Sequence, residues 1–326
     1  MPKKIKITPL AEESLGVRSM CTYIETPDTK ILLDAGASLA PIRFSYSPHP
    51  KEYKALAQSR QRISKAAEQT DITTISHYHF DHHTPSFTDW FTNWSSAETA
   101  KQIYTNKTIL TKSYRSNVNT SQRRRGWMFK KTAAKHAKKL ETADNKTFQF
   151  EQTKLKFSEP VFHGSENSEL GWLIMTTIET SDQKILFASD VQGPMYTPTL
   201  NIILAENPQT VIIGGPPTYL AGFRVKEKDI QTGLQNLKKL TQNIPTTILE
   251  HHILRDKKWK NHIQPIIDAA TDTGHKVLTA AEYLGKENNF LESNRKQLFE
   301  TEPPDSDFKT WMKLPIQKRK LTKPPI

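Results

Sequence analysis

The stretch His77-Tyr78-His79-Phe80-Asp81-His82-His83 decides how this sequence is interpreted. It follows residues 71–76, a β-branched run that predicts a buried strand. In an extended chain residues i and i+2 point the same way, so His77 and His79 can bind one ion together. If the chain then enters a helix, Asp81 and His82 are carried to the opposite side, where they can hold a second ion beside the first.

The position of this cluster favours a metal site over its two alternatives. Imidazole and carboxylate are the ligands that zinc takes in hydrolytic sites. The alternatives are a histidine-rich surface loop and a purification tag, and a tag would lie at a terminus and would not follow a strand. The spacing and the preceding strand therefore predict a metal centre.

Positive charge is concentrated in one segment. The chain has 326 residues and a net charge of +12, and residues 99–140 contain twelve Lys or Arg and no acid. Such a field attracts polyanions or phosphorylated substrates, although a solvated basic face would have the same composition.

Cysteine content and hydropathy predict a cytoplasmic protein that does not associate with a membrane. Cys21 is the only cysteine of the sequence, which excludes an internal disulfide and fits a reducing compartment. The N-terminus has no apolar signal core, and no apolar run approaches the length of a bilayer span.

Hydrophobic periodicity predicts that strands come first in each half and that helices follow them. Strands are predicted over residues 4–8, 20–25, 30–34, 71–76, 107–111, 148–150, 154–157, 172–179, 184–189, 211–213, 246–249 and 276–278, and helices over 51–68, 229–241 and 262–273. The candidate ligands lie where strands end. This pattern predicts two sheets packed face to face, with helices outside.

Three local expectations accompany this architecture. Asp34-Ala35-Gly36 closes a predicted strand, and Gly36 is expected to take a positive φ there. Aromatic residues at positions 87, 90, 91 and 94 have the spacing of one helix face within residues 85–101. Residues 286–326 are rich in charge and proline, which predicts a basic, partly disordered C-terminal tail after a main domain at 1–285.

The motif His77-X-His79-X-Asp81-His82 is similar to the signature of the metallo-β-lactamase superfamily, and later candidates follow in that family's order. These are His163, Asp190 and His251, each at the end of a predicted strand. The resemblance covers roughly residues 4–285 and implies an α+β fold, the four-layer αβ/βα sandwich. Three further stretches resemble a family of archaeal proteins predicted to be hydrolases with this fold: Ser14-Leu-Gly-Val-Arg-Ser19, Gly215-Pro-Pro-Thr-Tyr-Leu220 and His251-His252-Ile-Leu-Arg255-Asp256.

The resemblance implies a dinuclear centre with a metal-bridged hydroxide. One divalent ion would be held by His77, His79 and His163, and the other by Asp81, His82 and His251. Asp190 would bridge the two ions, and Asp81 could also steer a proton to the leaving group. Zinc is the metal expected, with Mn²⁺ and Fe²⁺ as alternatives. Since His251 and His252 are adjacent, one of them is expected to be the ligand; His251 is preferred, and His252 is then expected to contact substrate.

The basic segment bears on the substrate. It is expected to be an insertion near residues 99–140, with Arg123, Arg124 and Arg125 as substrate-binding residues beside aromatic side chains. Arginine next to aromatics suits phosphate contact with base stacking. The leading hypothesis is therefore hydrolysis of a phosphodiester, in RNA or DNA or in another phosphorylated substrate.

Two alternatives stay open. One is hydrolysis of a small ester, lactone or phosphorylated metabolite, and the other is a nucleic-acid-binding protein with a structural metal site. The short spacing between Asp190 and His251 leaves little room for the extra domain that RNA-cleaving members of the superfamily carry. His251-His252-Ile253 also differs from the histidine motif of transfer-RNA 3′-end nucleases.

Overall fold

Two β-sheets occupy the centre of the structure, a computed structural model that describes residues 4–326. The strands of the first sheet lie side by side in chain order: β1 (Lys6–Glu12), β2 (Met20–Glu25), β3 (Lys30–Leu33), β4 (Ile72–Ile75), β5 (Thr108–Thr111) and β6 (Lys139–Thr142). The first three strands pair antiparallel, and β3 to β6 pair parallel.

The second sheet has seven strands in the spatial order β15-β14-β13-β12-β11-β8-β7. They are β7 (Thr147–Gln149), β8 (Lys154–Phe157), β11 (Thr176–Glu179), β12 (Lys184–Ser189), β13 (Thr210–Gly214), β14 (Thr246–Glu250) and β15 (Lys276–Leu278), while β9 (Val161–Phe162) and β10 (Trp172–Leu173) form a separate short pair. Strands β12 to β15 are parallel, so their carboxyl ends share one edge.

Helices cover the outer face of each sheet. On the first sheet lie α1 (Pro50–Gln69), α2 (Ala97–Tyr104) and α3 (Thr120–Lys131), and on the second lie α4 (Thr197–Glu206), α5 (Glu227–Asn243) and α6 (Trp259–Thr271). The chain ends with α7 (Ala280–Tyr283), α8 (Arg295–Thr301), α9 (Ser306–Met312) and α10 (Ile316–Leu321). Within residues 4–326, no helix combines the length and the apolar character that a membrane span requires.

Side-chain alternation along the strands produces this layering. On β3, Ile31 and Leu33 face the core between the sheets, whereas Leu32 faces the helices. On β12, Phe187 faces the same central core and Leu186 packs toward the helices of the second half. Central strands such as β3 and β12 are buried on both faces and read as apolar runs, whereas the edge strands β6 and β7 stay partly exposed. The predicted α+β four-layer αβ/βα sandwich is confirmed.

Gly36 serves a different purpose from the one predicted. The positive φ belongs to Asp34 (45°) and not to Gly36. A Cβ at Gly36 would lie 2.3 Å from the backbone nitrogen of His83. Glycine is therefore needed because the histidine-rich loop packs directly on this backbone.

The helix expected over residues 85–101 is wrong for most of its length, since helix α2 begins only at Ala97. The Asp89 carboxylate accepts hydrogen bonds from the backbone nitrogens of Phe91 and Thr92 (both 2.9 Å) and from the Asn93 amide (2.8 Å). An aspartate that binds nearby backbone donors competes with the helical pattern, and the aromatic spacing did not reveal this.

The basic segment is not an insertion, because it forms strands of the first sheet and helices that cover that sheet. Residues 99–140 include most of α2, all of β5 and α3, and the start of β6. Lys112 is buried and donates to Asp144 over 2.8 Å, so part of the charge is neutralised inside the fold.

The C-terminal segment is ordered, so the expected partial disorder is wrong. Phe308 and Trp311 of α9 are buried in the core of the first half, where they pack on Tyr53 of α1. The Arg295 guanidinium donates two hydrogen bonds of 2.7 Å to the buried Glu52 carboxylate. These contacts attach residues 286–326 to the main body, although their composition is basic and proline-containing as predicted.

Candidate metal centre

The candidate centre forms where strand ends of both sheets meet. Asp34 follows β3, and its carboxylate accepts a hydrogen bond of 2.7 Å from the backbone nitrogen of Ser76, which follows β4. The Ser76 hydroxyl lies 3.0 Å from that of Ser189 at the end of β12. This buried polar junction joins the sheets directly beneath the histidine-rich loop.

The residues of the first ligand group that the resemblance implies lie close together. Potential ligand atoms of His77, His79, His163 and Asp190 lie within 4.8 Å of one another. His77 Nε2 is 3.0 Å from His79 Nδ1, and His163 Nε2 is 3.0 Å from Asp190 Oδ2. A register shift before Ser189 interrupts the pairing of β12, and such a bulge redirects the chain that carries Asp190.

The second predicted group lies beside the first, and Asp190 is close to two of its histidines. Ligand atoms of Asp81, His82 and His251 also lie within 4.8 Å of one another. His82 Nε2 is 3.1 Å from Asp190 Oδ2, while its Nδ1 is 2.8 Å from Asp34. A carboxylate that binds one ring nitrogen fixes the tautomer and leaves the other free for a metal.

Both histidines of the 251–252 pair face the centre. The Nε2 atoms of His251 and His252 are each 3.5 Å from Asp190 Oδ2. The backbone of His251 has a φ of 65°, a sparsely populated conformation for a non-glycine residue. This turn directs two consecutive side chains to one side, which an extended chain would not allow.

Arg255 holds this pair in place. Its buried guanidinium lies 3.1 Å from His252 Nδ1 and 3.0 Å from His251 Nε2. The same group pairs with the Glu13 carboxylate over 3.1 Å. Arg255 therefore connects the end of β14 with the loop after β1.

The cluster places neutral and protonated imidazoles around an anionic carboxylate, and a divalent ion would displace the protons of His82 and His251 on binding. Burial lowers the pKa of His79 to about 3, and burial and the neighbouring imidazoles keep the pKa of His77 well below its usual range. Burial also opposes charge on His82, but the carboxylates of Asp190 and Asp34 outweigh it and raise its pKa to about 10. Burial acts against ionisation of Asp190, yet His251 and His82 keep its pKa well below the ordinary value. An anionic carboxylate is thus surrounded by imidazoles, two of which are neutral.

Unpartnered atoms show that these residues fit divalent metal ions. Among the described residues, the buried atoms without a hydrogen bond of good geometry include His82 Nε2, His163 Nε2, His252 Nε2 and Asp190 Oδ1, each in a group of residues close enough to hold a metal ion. Buried polar groups are normally satisfied, so such a concentration indicates a missing partner. Imidazole nitrogen and carboxylate oxygen are the donor atoms that divalent transition metals bind.

Replacing the two adjacent histidines separately should identify the ligand. His252 also lies in a possible ligand group, with Asp190 and His251. We expect His251→Ala to lose about one metal equivalent, because His251 alone of the pair also lies with Asp81 and His82. We expect His252→Ala to keep its metal and to lose roughly ten- to a hundredfold in activity, as outer-shell losses do. Elemental analysis of both variants measures this, and the reverse result would move the ligand to His252.

The three predicted substrate arginines have different environments on α3. Arg125 is half-buried and lines the cleft over the candidate metal centre, with its guanidinium 4.5 Å from the Phe80 ring centroid. Arg124 is exposed and lines a neighbouring cavity but not the cleft. Arg123 is exposed on the outer side of that helix, away from the cleft lining. Only Arg125 therefore reaches the centre, and the roles of the other two stay predictions.

Sequence reasoning missed several residues that support the centre. Asp34 orients His82, and Arg255 with Glu13 supports the His251–His252 pair. The Glu250 carboxylate accepts hydrogen bonds from the backbone nitrogens of Ser14 (3.1 Å) and Ala280 (2.8 Å). The signal available in the sequence was an arginine four positions after His251; its partner near residue 13 required the fold.

Comparison with curated proteins gives extensive sequence relatives. The chain is 43% identical over 294 residues to a UPF0282 protein of Methanopyrus kandleri, covering 90% of this chain and 99% of the relative. It is 42% identical over 299 residues to a UPF0282 protein of Thermococcus sibiricus, covering 91% and 95%. A UPF0282 protein of Methanocaldococcus jannaschii is 39% identical over 295 residues, covering 90% and 96%. No protein-family model matches the chain.

Solved structures give weaker likenesses. A metal-dependent hydrolase of the β-lactamase superfamily has a TM-score of 0.46 at 10% identity, covering 85% of this chain and 96% of that one. An isothiocyanate hydrolase from gut bacteria of Delia radicum has a TM-score of 0.46 at 15% identity, covering 81% and 94%. The short form of human tRNase Z has a TM-score of 0.41 at 12% identity, covering 76% and 92%. Likeness at this level does not assign an activity.

Proposed function

The chain belongs to the UPF0282 family, and, because its candidate ligands face one another where strand ends of both sheets meet, we propose that it is a metal-dependent hydrolase with a dinuclear centre that cleaves phosphodiesters. The observation that carries the proposal is the set of unpartnered imidazole and carboxylate atoms on Asp190, His82 and His163. When bound, two divalent cations, most simply zinc, would lower the pKa of a shared water and stabilise developing negative charge.

In the proposed reaction, Asp190, Asp81 and His252 have separate roles. Asp190 lies between the two ligand groups and is the shared carboxylate of the proposal. Asp81 belongs to the second group and is partly exposed to the cleft, a position suited to passing a proton to a leaving group. His252 also lines the cleft, where Arg255 holds its ring through Nδ1.

An unpaired cation on the cleft supports a phosphorylated substrate. Arg125 contacts the Tyr78 carbonyl oxygen at 3.4 Å and the Phe80 ring, and it forms no ion pair with a carboxylate of residues 4–326. By contrast Arg18, also at the cleft, is paired with Glu292 over 2.6 Å. A half-buried guanidinium without a counterion is suited to bind a phosphate oxygen.

The candidate ligands are accessible from a cleft, which is typical of a catalytic metal site and not of a structural one. The candidate ligands His79, Asp81, His163 and Asp190 line a cleft of about 520 Å³. Structural zinc sites are closed by four protein ligands, whereas catalytic sites keep an accessible position. This favours an enzyme over a nucleic-acid-binding protein with a structural ion.

Elemental analysis and a substrate panel test the proposal together. We expect about two equivalents of divalent metal per chain, because seven predicted ligands form two groups that share Asp190. The loaded protein should hydrolyse bis(p-nitrophenyl) phosphate, and chelation should remove the activity. Turnover of a lactone or thioester with no phosphodiesterase activity would favour the small-metabolite alternative, and full activity without metal would contradict the proposal.

Substitution of Arg125 should affect hydrolysis, whereas substitution of Arg123 and Arg124 should affect nucleic-acid binding. Arg125→Gln should lower kcat/KM for bis(p-nitrophenyl) phosphate by roughly ten- to a hundredfold, the cost of losing a charge-assisted hydrogen bond. Replacing Arg123 and Arg124 together by Gln should spare this small substrate. Those changes should instead weaken single-stranded nucleic-acid binding and reduce its log–log salt slope by roughly 0.7 for each phosphate that is no longer neutralised. Steady-state kinetics and salt titrations measure the two effects, and an unchanged slope would make Arg123 and Arg124 part of a solvated face.

A further inference from the structure

A second cavity adjoins the metal cleft and has a different chemical character. It encloses about 590 Å³ between α3 and the loop that follows the histidine-rich stretch. Its apolar wall includes Phe80, Phe87, Met128 and Phe129. The Phe87 and Met128 side chains are each 44% exposed, so this wall leaves apolar surface in water. We refer to it as the α3 cavity.

The α3 cavity adjoins the metal cleft. Phe80 and Arg125 line both spaces and form the wall between them. In the chain, Phe80 stands between the candidate ligands His79 and Asp81, so a group in the cavity lies next to the centre. A substrate bound at the metals can therefore place its adjoining part in this cavity.

Cations stand at both ends of the α3 cavity. Arg125 lies at the end toward the metals, and Arg124 lines both the cavity and the exposed basic face on the outer side of α3. That face also carries Trp127, which is 48% exposed, with Lys130 and Lys131. No acidic residue of the described chain lines either space.

This order of surfaces matches one ligand chemistry. A single-stranded nucleic acid alternates anionic phosphates with flat apolar bases, and proteins bind it through cationic grooves with aromatic side chains on which bases stack. Resting on the phosphodiesterase function proposed above, we infer that the α3 cavity binds the base adjoining the scissile phosphate and that the strand continues over the basic face of α3. A duplex does not offer such a base, because its bases are stacked inside the helix.

A matched pair of ligands isolates the contribution of the base. Fluorescence anisotropy should compare a labelled oligothymidylate with an abasic oligonucleotide of the same length and charge, with the probe checked for integrity on a gel. The oligothymidylate should bind at least about fivefold more tightly, since each stacked base adds affinity that phosphates do not supply. Equal affinities would overturn the inference.

Substitutions then locate the effect. Ser121 is exposed at the start of α3 and lines the α3 cavity, so Ser121→Trp fills the space and should reduce the affinity ratio toward one. Phe87→Ala removes part of the aromatic wall and should reduce the ratio without adding bulk. Ser181→Trp is the matched control, because Ser181 is exposed in the turn between β11 and β12, and it should keep the wild-type ratio. A wild-type ratio in both cavity variants would also overturn the inference.

The binding experiment and the hydrolysis experiment can contradict the base site and the proposed function independently of each other. Cleavage of bis(p-nitrophenyl) phosphate with equal binding of the two oligonucleotides would leave the proposed function intact and exclude the base site. A base-dependent affinity without phosphodiester cleavage would keep the base site and remove the proposed function.

Discussion

Asp190→Ala should abolish hydrolysis and empty at least one metal site. Its carboxylate lies 3.0 to 3.5 Å from the Nε2 atoms of His163, His82 and His251. His163 belongs to the first ligand group, and His82 and His251 belong to the second. Removing it leaves a cluster of imidazoles without the anion that offsets two dications. Since loss of an outer-shell partner alone costs about ten- to a hundredfold, we expect loss of this shared carboxylate to exceed a hundredfold.

Metal content and phosphodiesterase activity measured on the same preparation test this expectation. Asp182→Ala provides the control, because Asp182 is exposed in the turn between β11 and β12. An Asp190→Ala protein that kept two metals and lost only a small part of its rate would show that the two groups do not share this carboxylate. Circular dichroism separates metal loss from unfolding.

Arg295→Met should destabilise the fold by about 3–5 kcal/mol, the usual cost of removing one partner of a buried ion pair. The Arg295 and Glu52 side chains are 0% and 1% exposed, and two hydrogen bonds of 2.7 Å join them. The substitution leaves the Glu52 carboxylate buried without its cation. Urea unfolding at neutral pH measures the loss.

The pH dependence of this deficit has a definite sign. Burial raises the pKa of Glu52, and Arg295 acts against that rise. Without Arg295 the pKa of Glu52 rises further, so the deficit is present above that pKa and shrinks as the pH falls and the carboxyl becomes protonated. Combining Arg295→Met with Glu52→Gln should recover part of the stability for the same reason.

An exposed ion pair of the same region supplies the control. Lys51 and Glu302 also join α1 to the C-terminal segment, but both side chains are largely exposed. Lys51→Met should therefore leave the unfolding midpoint nearly unchanged, since surface pairs contribute little. Equal effects of Lys51→Met and Arg295→Met would mean that burial of the Arg295–Glu52 pair is not what stabilises the C-terminal segment.

The sequence by itself determined the layers and the location of the centre. Strand and helix periods are local, and predictions for β2, β3, β14, α1 and α5 agree with the structure to within a few residues. The candidate ligands follow predicted strands, in the order of the family that the His77-X-His79-X-Asp81-His82 motif resembles. That resemblance grouped His77, His163 and Asp190 before the fold was known.

Only the tertiary structure decided how distant segments complete the site. Glu13 meets Arg255, Arg295 meets Glu52, and the positive φ of His251 directs two adjacent histidines inward. On α3, three consecutive residues are all arginine, but their side chains lie in three different environments. Only Arg125 reaches the metal cleft. Local patterns report which residues share a face of their own element. They do not report which distant segments pair with each other. They also do not report how deeply each charged group is buried, which shifts its pKa, because both depend on how the whole chain packs.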